Sequence, residues 1–297
     1  MCLNNNSSCA EPDGIVKACL SDKEIEKTVL LLKLVWPDIG FTKDYLNWLY
    51  RENPLGKAEA YNVWNNGEII AHYAAIPIKV KLFGSLEKGL LSLNTAIHPS
   101  HQGKGYFNIL ATRTYENAQK NGVNFVIGVA NAISTLLFQM QLGFQRVCPL
   151  TVKIGFGAVK RISINPRELQ YVPCWDEKIL SWRIQRPKSK YNIYKTNNSN
   201  AIYSSTNKYG IWANMYEGDL NLTNIKLLKS PTHLRWNPLT VWIGLNSNCD
   251  WSKSLYINLP ECFKPSPLNL IFKDLTGLER TLAPEKILFS LIDFDAY

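Results

Sequence analysis

Residues 91–147 read LSLNTAIHPSHQGKGYFNILATRTYENAQKNGVNFVIGVANAISTLLFQMQLGFQRV, and the fold turns on how this stretch is read. Leu91 to Ile97 alternates loosely apolar and predicts a strand, whereas Tyr106 to Lys120 carries Phe107, Leu110, Ala111, Tyr115 and Ala118 at helical spacing. Gln102-Gly103-Lys104-Gly105 is therefore a strand-to-helix turn. Its two glycines let the backbone come close to a ligand, and the helix start leaves N–H groups unpaired at the positive end of the helix dipole. Such a turn is an anion site, most naturally for phosphate. Asn124 to Ala130 predicts a second buried strand, and Asn131 to Leu142 a second helix that stops at Gly143-Phe144.

The order of strand, Gln-Gly-Lys-Gly turn, helix, strand, Asn131, helix, Leu142-Gly143-Phe144 and closing strand resembles the GNAT family of N-acetyltransferases. The resemblance implies acyl-coenzyme A as co-substrate. In such proteins the turn amides, here at Gln102, Gly103, Lys104, Gly105, Tyr106 and Phe107, hold the pyrophosphate. The strand edge at Thr95, Ala96 and Ile97 would pair with pantetheine, and Asn131, with Phe138 on the next helix, would touch the coenzyme. Three positions depart from the family pattern. Phe107 stands where the turn motif ends in glycine or alanine, and Asn94 stands where many relatives have a glutamate general base. Gln139, preceded by Phe138, stands where a tyrosine often protonates the departing thiolate.

The chain has 297 residues and ordinary hydrophobic content, enough for two modest domains or one large one. Seven scattered cysteines without Cys-x-x-Cys spacing read as reduced thiols in a cytoplasm, not as a disulfide frame or metal site; Cys148, near the closing strand, reads as structural. The polar N-terminus has no signal-peptide pattern and reads as a flexible lead-in over residues 1–14; the longest apolar run, Val29 to Trp36, is too short to span a bilayer. A formal charge of +9 favours acidic ligands, but the basic residues are dispersed. Neither nucleic acid nor membrane is expected as a partner, and the oligomeric state is left open.

Upstream, Ser21-Asp22-Lys23-Glu24 reads as a capping box before a helix with Ile25, Val29, Leu32 and Trp36 on its core face, ended by Pro37. A short helix over Thr42 to Arg51 follows. Glu59 to Trp64 and Glu68 to Ile76 flank Asn65-Asn66-Gly67, a hairpin signal, and Ile78 to Phe83 reads as a further strand. The expected class is mixed α/β: a mostly antiparallel central sheet flanked by helices, over residues 15–157. Residues 158–174 read as a linker. In 175–297 a helix at Trp175 to Arg183 precedes short β-rich runs at Tyr191–Lys195, Ala201–Ser205, Tyr209–Tyr216, Leu239–Leu245, Leu268–Asp274 and Ile287–Phe294. This half carries no second glycine-rich turn. Its order resembles the second half of tandem-GNAT proteins of bacterial surface-polysaccharide pathways, which implies a degenerate GNAT-like copy that shapes the acceptor site.

That resemblance implies an N-acyltransferase acting on a nucleotide-linked amino sugar, a dTDP-amino-dideoxyhexose, by direct attack in a ternary complex for O-antigen, capsule or S-layer glycan. Arg183, Arg186 and Lys188 could hold the diphosphate. Candidate catalytic residues are Asn94, His72 and Glu68; the last two differ by four residues and so share a strand face. His98 and His101 flank the turn as coenzyme neighbours or as solvated side chains. Strand amides near Ala96 could polarise the thioester oxygen. Rival readings are a Fem-type aminoacyl transferase, N-acetylation of another small amine or of a protein, and a non-catalytic coenzyme-binding protein.

Overall fold

The structure, a computed structural model, describes residues 14–195, 200–206, 210–218, 239–260 and 267–294. The expected lead-in through residue 13, the start at Tyr209 of one expected strand, and Cys2, Cys9 and Cys262 lie outside the described residues.

The described chain runs β1 (Gly14–Lys17), α1 (Asp22–Val35), α2 (Lys43–Arg51), β2 (Glu59–Asn65), β3 (Glu68–Leu82), β4 (Ser85–Ile97), α3 (Tyr106–Lys120), β5 (Phe125–Ala130), α4 (Ala132–Leu142), β6 (Gln145–Pro149) and β7 (Thr151–Phe156). It continues with β8 (Tyr171–Pro173), α5 (Glu177–Ile184), β9 (Tyr191–Lys195), β10 (Asn200–Ser205), β11 (Trp212–Gly218), β12 (Thr240–Asn246), β13 (Leu255–Asn258), β14 (Asn269–Asp274) and β15 (Leu288–Ser290). Two mixed sheets result. The first has the order β1-β2-β3-β4-β5-β14-β6 with β8 beside β3; the second has β13-β7-β12-β11-β10-β9 with β15 beside β12.

Local chemistry accounts for most boundaries. Ser21 accepts the Glu24 N–H to start α1, and Thr42 accepts the Tyr45 N–H to start α2. The Glu24 side chain does not return to Ser21, as a capping box requires; it takes the Leu20 N–H instead, at 2.5 Å. Asn66 and Gly67 have φ +49° and +75°, the left-handed pair that a two-residue hairpin turn demands. The expected strand at Ile78 to Phe83 is not separate. It continues β3 through Pro77, because β2 stops opposite Ala75 and leaves that edge without a ladder for proline to interrupt. Ile287 to Phe294 is likewise not one strand: β15 is short, and Ser290 caps a 3-10 turn at Leu291–Asp293.

α1 and α2 cover one face of the first sheet, with Ile25, Leu32, Leu46 and Leu49 packed against Ile69, Ala74 and Leu91. α3 covers the other, with Leu110, Ala111 and Tyr115 against Tyr73, Leu90 and Val126. Sheet membership does not follow a cut at residue 157. β7, from the first half, sits in the second sheet between β12 and β13, and β14, from the second half, lies between β5 and β6 in the first. The stretch expected as a linker also contributes β8, paired with Val80 to Leu82 of β3.

Candidate functional site

β4 and β5 pair in parallel only from Gly89 to Ser92 against Phe125 to Gly128, and the strands part beyond that point. The cause lies on the other edge of β4. Leu93 faces Ala74 and Ala96 faces His72, so Asn94 and Thr95 together stand opposite Tyr73. This is a β-bulge, which bends the strand that carries it. Asn94 takes φ +49° there, a left-handed conformation that asparagine tolerates better than most side chains. The parted strands open a cleft of about 430 Å³, lined by Ser92, Asn94 and Thr95 on one side and by Val129, Asn131 and Phe138 on the other. Trp36 lies at this cleft and donates its indole N–H to the Thr95 carbonyl at 3.2 Å. Leu268 and Phe294, from the second half, complete the lining.

The Gln102–Gly105 turn follows β4 and feeds α3. Gly103 and Gly105 have φ +78° and +73°. Gly105 is the N-cap and supplies no side chain, and the first helical bond runs from the Ile109 N–H to the Gly105 carbonyl. The N–H groups of Tyr106, Phe107 and Asn108 thus leave the helix start without intrahelical partners, the arrangement that receives phosphate. Lys104 adds a cation 3.2 Å from His101 Nδ1. Desolvation, then the charges of Lys104 and His98, hold His101 below its ordinary value. Phe107 does not crowd the turn. Its ring packs edge-on against Phe138 at 5.1 Å and Tyr73 at 6.4 Å, inside the aromatic cluster beneath α3.

The remaining predicted residues separate. Asn131 is on the cleft, where its Oδ1 caps α4 by accepting the Ser134 N–H at 2.8 Å. Ala96 is buried and Ile97 pairs with Ala71, which leaves Thr95 as the member of that edge on the cleft. His72 is buried at 1 % exposure, its imidazole pushed down to about 3 by desolvation. Glu68 does not join it. The β2–β3 register slips at Ile70, between the Trp64–Ile69 and Val63–Ala71 pairs, so two-residue alternation does not carry from Glu68 to His72. Glu68 sits at the hairpin end and pairs with Lys27 at 3.0 Å.

Arg183 and Arg186 are not on the cleft. Arg183 is 3 % exposed, donates to the Ile292 and Phe294 carbonyls at 2.8 and 2.7 Å, and stacks over Trp48. Arg186 is buried over Tyr45. Arg183 therefore fixes the backbone that carries Phe294 to the cleft. Cys148 is free and half-buried, its thiol pushed up by desolvation.

Two hydrogen-bonded chains that sequence reasoning missed end at the cleft. Ser92 Oγ lies 2.7 Å from the Tyr73 hydroxyl, which is 2.5 Å from that of Tyr115. On the opposite sheet face, Asn94 Nδ2 donates to the Tyr50 hydroxyl at 2.9 Å, which contacts His72 Nε2 at 3.0 Å. His72 Nδ1 meets Asn62 Oδ1 at 2.6 Å, and Asn62 Nδ2 donates to Glu24 Oε1 at 2.7 Å. No spacing rule joins residues 24, 50, 62, 72 and 94; register and helix packing do.

Residues 19–145 match the family model of the acetyltransferase (GNAT) domain. This segment is a GNAT domain. The match spans under half of the chain and supports an acyl-CoA-dependent N-acyltransferase as the enzyme class. No curated protein sequence matches the chain. Among solved structures, a conserved Enterococcus faecalis V583 protein, described as a candidate N-acyltransferase, is 12% identical with a TM-score of 0.59, over 88% of this chain and 72% of that one. A GCN5-related N-acetyltransferase from Anabaena variabilis is 11% identical with a TM-score of 0.58, over 87% and 72%. Saccharomyces cerevisiae N-myristoyltransferase with bound myristoyl-CoA is 11% identical with a TM-score of 0.50, over 72% and 65%. These likenesses extend beyond the GNAT segment and show a common fold. Among the described residues, no helix is long and apolar enough to cross a membrane.

Proposed function

We propose that the protein moves an acyl group from acyl-CoA to the amine of a nucleotide-linked amino sugar, of the dTDP-3-amino-3,6-dideoxyhexose kind, for a bacterial surface glycan assembled from the cytoplasm. The observation that carries the reading is the cleft opened by the bulge at Asn94 between β4 and β5, next to a glycine turn whose helix-start amides lack intrahelical partners. A strand edge, an amide cradle and a lysine fit the pantetheine and pyrophosphate of coenzyme A. Gln102 to Phe107 would bind the pyrophosphate, Thr95 the pantetheine, and Asn131 and Phe138 would flank it.

Acyl-CoA supplies an activated thioester. Transfer forms a C–N bond to the acceptor amine and breaks the C–S bond. The sulfur leaves with the bond pair and takes up the proton that nitrogen sheds, giving an amide and free thiol. Asn94 sits beside that centre and cannot accept the proton. This favours an amine already neutral near pH 7, and a sugar amine beside hydroxyls is less basic than lysine. His72 is walled off from the cleft and acts, in this reading, through Asn94; Glu68 has no path to it. Ser92, on the cleft and backed by the Tyr73 and Tyr115 hydroxyls, is a candidate donor to the departing sulfur.

The second half supports the acceptor side through Leu268 and Phe294, with residues 175–297 as a GNAT-like copy without a coenzyme turn. The charge of +9 supports an anionic acceptor. Thiol release from acetyl-CoA in the presence of dTDP-3-amino-3,6-dideoxyhexoses, against lysine peptides and polyamines, tests the reading. Turnover confined to the sugars is expected. Turnover confined to the peptides or polyamines would overturn the acceptor, and no turnover with any amine would leave a coenzyme-binding protein.

A further inference from the structure

We infer that Glu24 sets the direction of every hydrogen bond from the core to Asn94, so that Asn94 presents its carbonyl oxygen, an acceptor, to the attacking amine in the cleft. The inference rests on the acyl-transfer reading of the cleft and adds its polarity. Glu24 is 5 % exposed, at the positive end of α1. A carboxylate only accepts, and it takes the Leu20 N–H on one oxygen and the Asn62 amide on the other. Asn62 therefore spends its N–H₂ on Glu24 and turns its Oδ1 to His72. His72 must donate from Nδ1, which leaves Nε2 as a lone pair. Tyr50 must donate to that lone pair, which leaves its oxygen to accept from Asn94 Nδ2. The Oδ1 of Asn94 is what remains for the cleft. A neutral amine bound there gives one N–H to Asn94 and keeps its own lone pair for the thioester carbon.

This chain can run only one way while residue 24 is a carboxylate, and it reverses as a unit when that changes. In Glu24→Gln the Leu20 N–H still claims the oxygen, so the new amide N–H₂ faces Asn62. Asn62 flips, His72 moves its proton to Nε2, Tyr50 donates outward and Asn94 turns its N–H₂ to the cleft. Every partner stays satisfied, so the protein still folds, yet the cleft now offers a donor where the amine needs an acceptor. Glu24, Asn62, His72 and Tyr50 are thus positioning residues, and Asn94 is the one that touches substrate.

The test is the tautomer of His72, read from imidazole ¹⁵N shifts in full-length protein with labelled histidine, assigned by the signals lost in His72→Gln. Nδ1–H is expected in the wild type and Nε2–H in Glu24→Gln. The kcat of the latter should fall about ten- to a hundredfold, the scale of a misplaced reactant, with the affinity for coenzyme A unchanged. A second readout needs no substrate. Asn94→Asp sets two acceptor-only groups at opposite ends of the chain and should lower Tm, whereas Glu24→Gln combined with Asn94→Asp should regain it, because the reversed chain donates to the carboxylate placed at position 94. An Nε2–H wild type, one tautomer in both proteins, wild-type turnover in Glu24→Gln, or additive Tm losses in the double variant would each overturn the inference. Failure of coenzyme A to bind the wild type would instead strike the acyl-transfer reading and leave the tautomer result standing.

Discussion

At the scale of the residue, His72 is the side chain whose meaning changes most between sequence and structure. A strand histidine near a coenzyme turn invites a role as general base, but this one is buried with both ring nitrogens engaged. Its imidazole is held at about 3, against about 6.5 for a free one. Between those values the unfolded chain binds a proton that the native state refuses. The stability from neutral His72 is therefore whole above pH about 6.5 and falls as pH drops toward 3, by about 1.4 kcal/mol per unit. Denaturant midpoints of the wild type and His72→Gln should converge from pH 7 to pH 4. A constant gap would contradict the buried neutral ring. Tyr50→Phe should cost about 1–3 kcal/mol by leaving Asn94 Nδ2 and His72 Nε2 without their shared partner; a neutral effect on chemical denaturation would count against the chain. Position 94 was legible as a site only through family resemblance. Its left-handed backbone was not, because a bulge is a property of two strands in register.

Among the elements, the turn and α3 were legible almost residue for residue, since glycine spacing and helical periodicity are local signals: α3 spans Tyr106–Lys120, as the apolar spacing predicts. The same holds for the hairpin at Asn66-Gly67 and the stop of α4 at Gly143, whose φ is +66°. Glu24 illustrates the limit. Its place in a capping pattern was visible, whereas its partner Asn62, 38 residues away, was not. The turn yields a direct prediction. Valine at position 105 cannot hold φ +73° without strain, so Gly105→Val should weaken coenzyme A binding at least about tenfold through displaced helix-start amides. Calorimetric titration of a variant with native circular dichroism would measure it, and unchanged affinity would remove the turn from the site. Asn131→Ala should cost about 1 kcal/mol through the lost N-cap of α4, seen as a lower Tm.

For the whole molecule, the two sheets exchange strands. LNLIFKD at Leu268–Asp274 reads as a strand from its composition, but nothing in it names β5 and β6 as its neighbours. Long-range pairing is decided by packing, here with Phe272 stacked on Phe125 at 5.8 Å. Arg183 reinforces the exchange by holding Ile292 and Phe294. A fragment of residues 14–157 would lack β14 from between β5 and β6 and leave β7 without its partners, so it should show no cooperative unfolding transition, while the full chain should unfold in one. A fragment that melts cooperatively would show that the GNAT segment is autonomous.

The central claim is that the glycine turn and the parted strands receive coenzyme A. Thermal unfolding of the full-length protein across a coenzyme A titration addresses it most directly, because a ligand that binds only the native state raises stability as RT ln(1 + [L]/Kd). The account predicts a Tm that climbs with the logarithm of coenzyme A concentration in the wild type, and in Gly105→Val only at concentrations at least about tenfold higher. A wild-type Tm that does not respond to coenzyme A would contradict it.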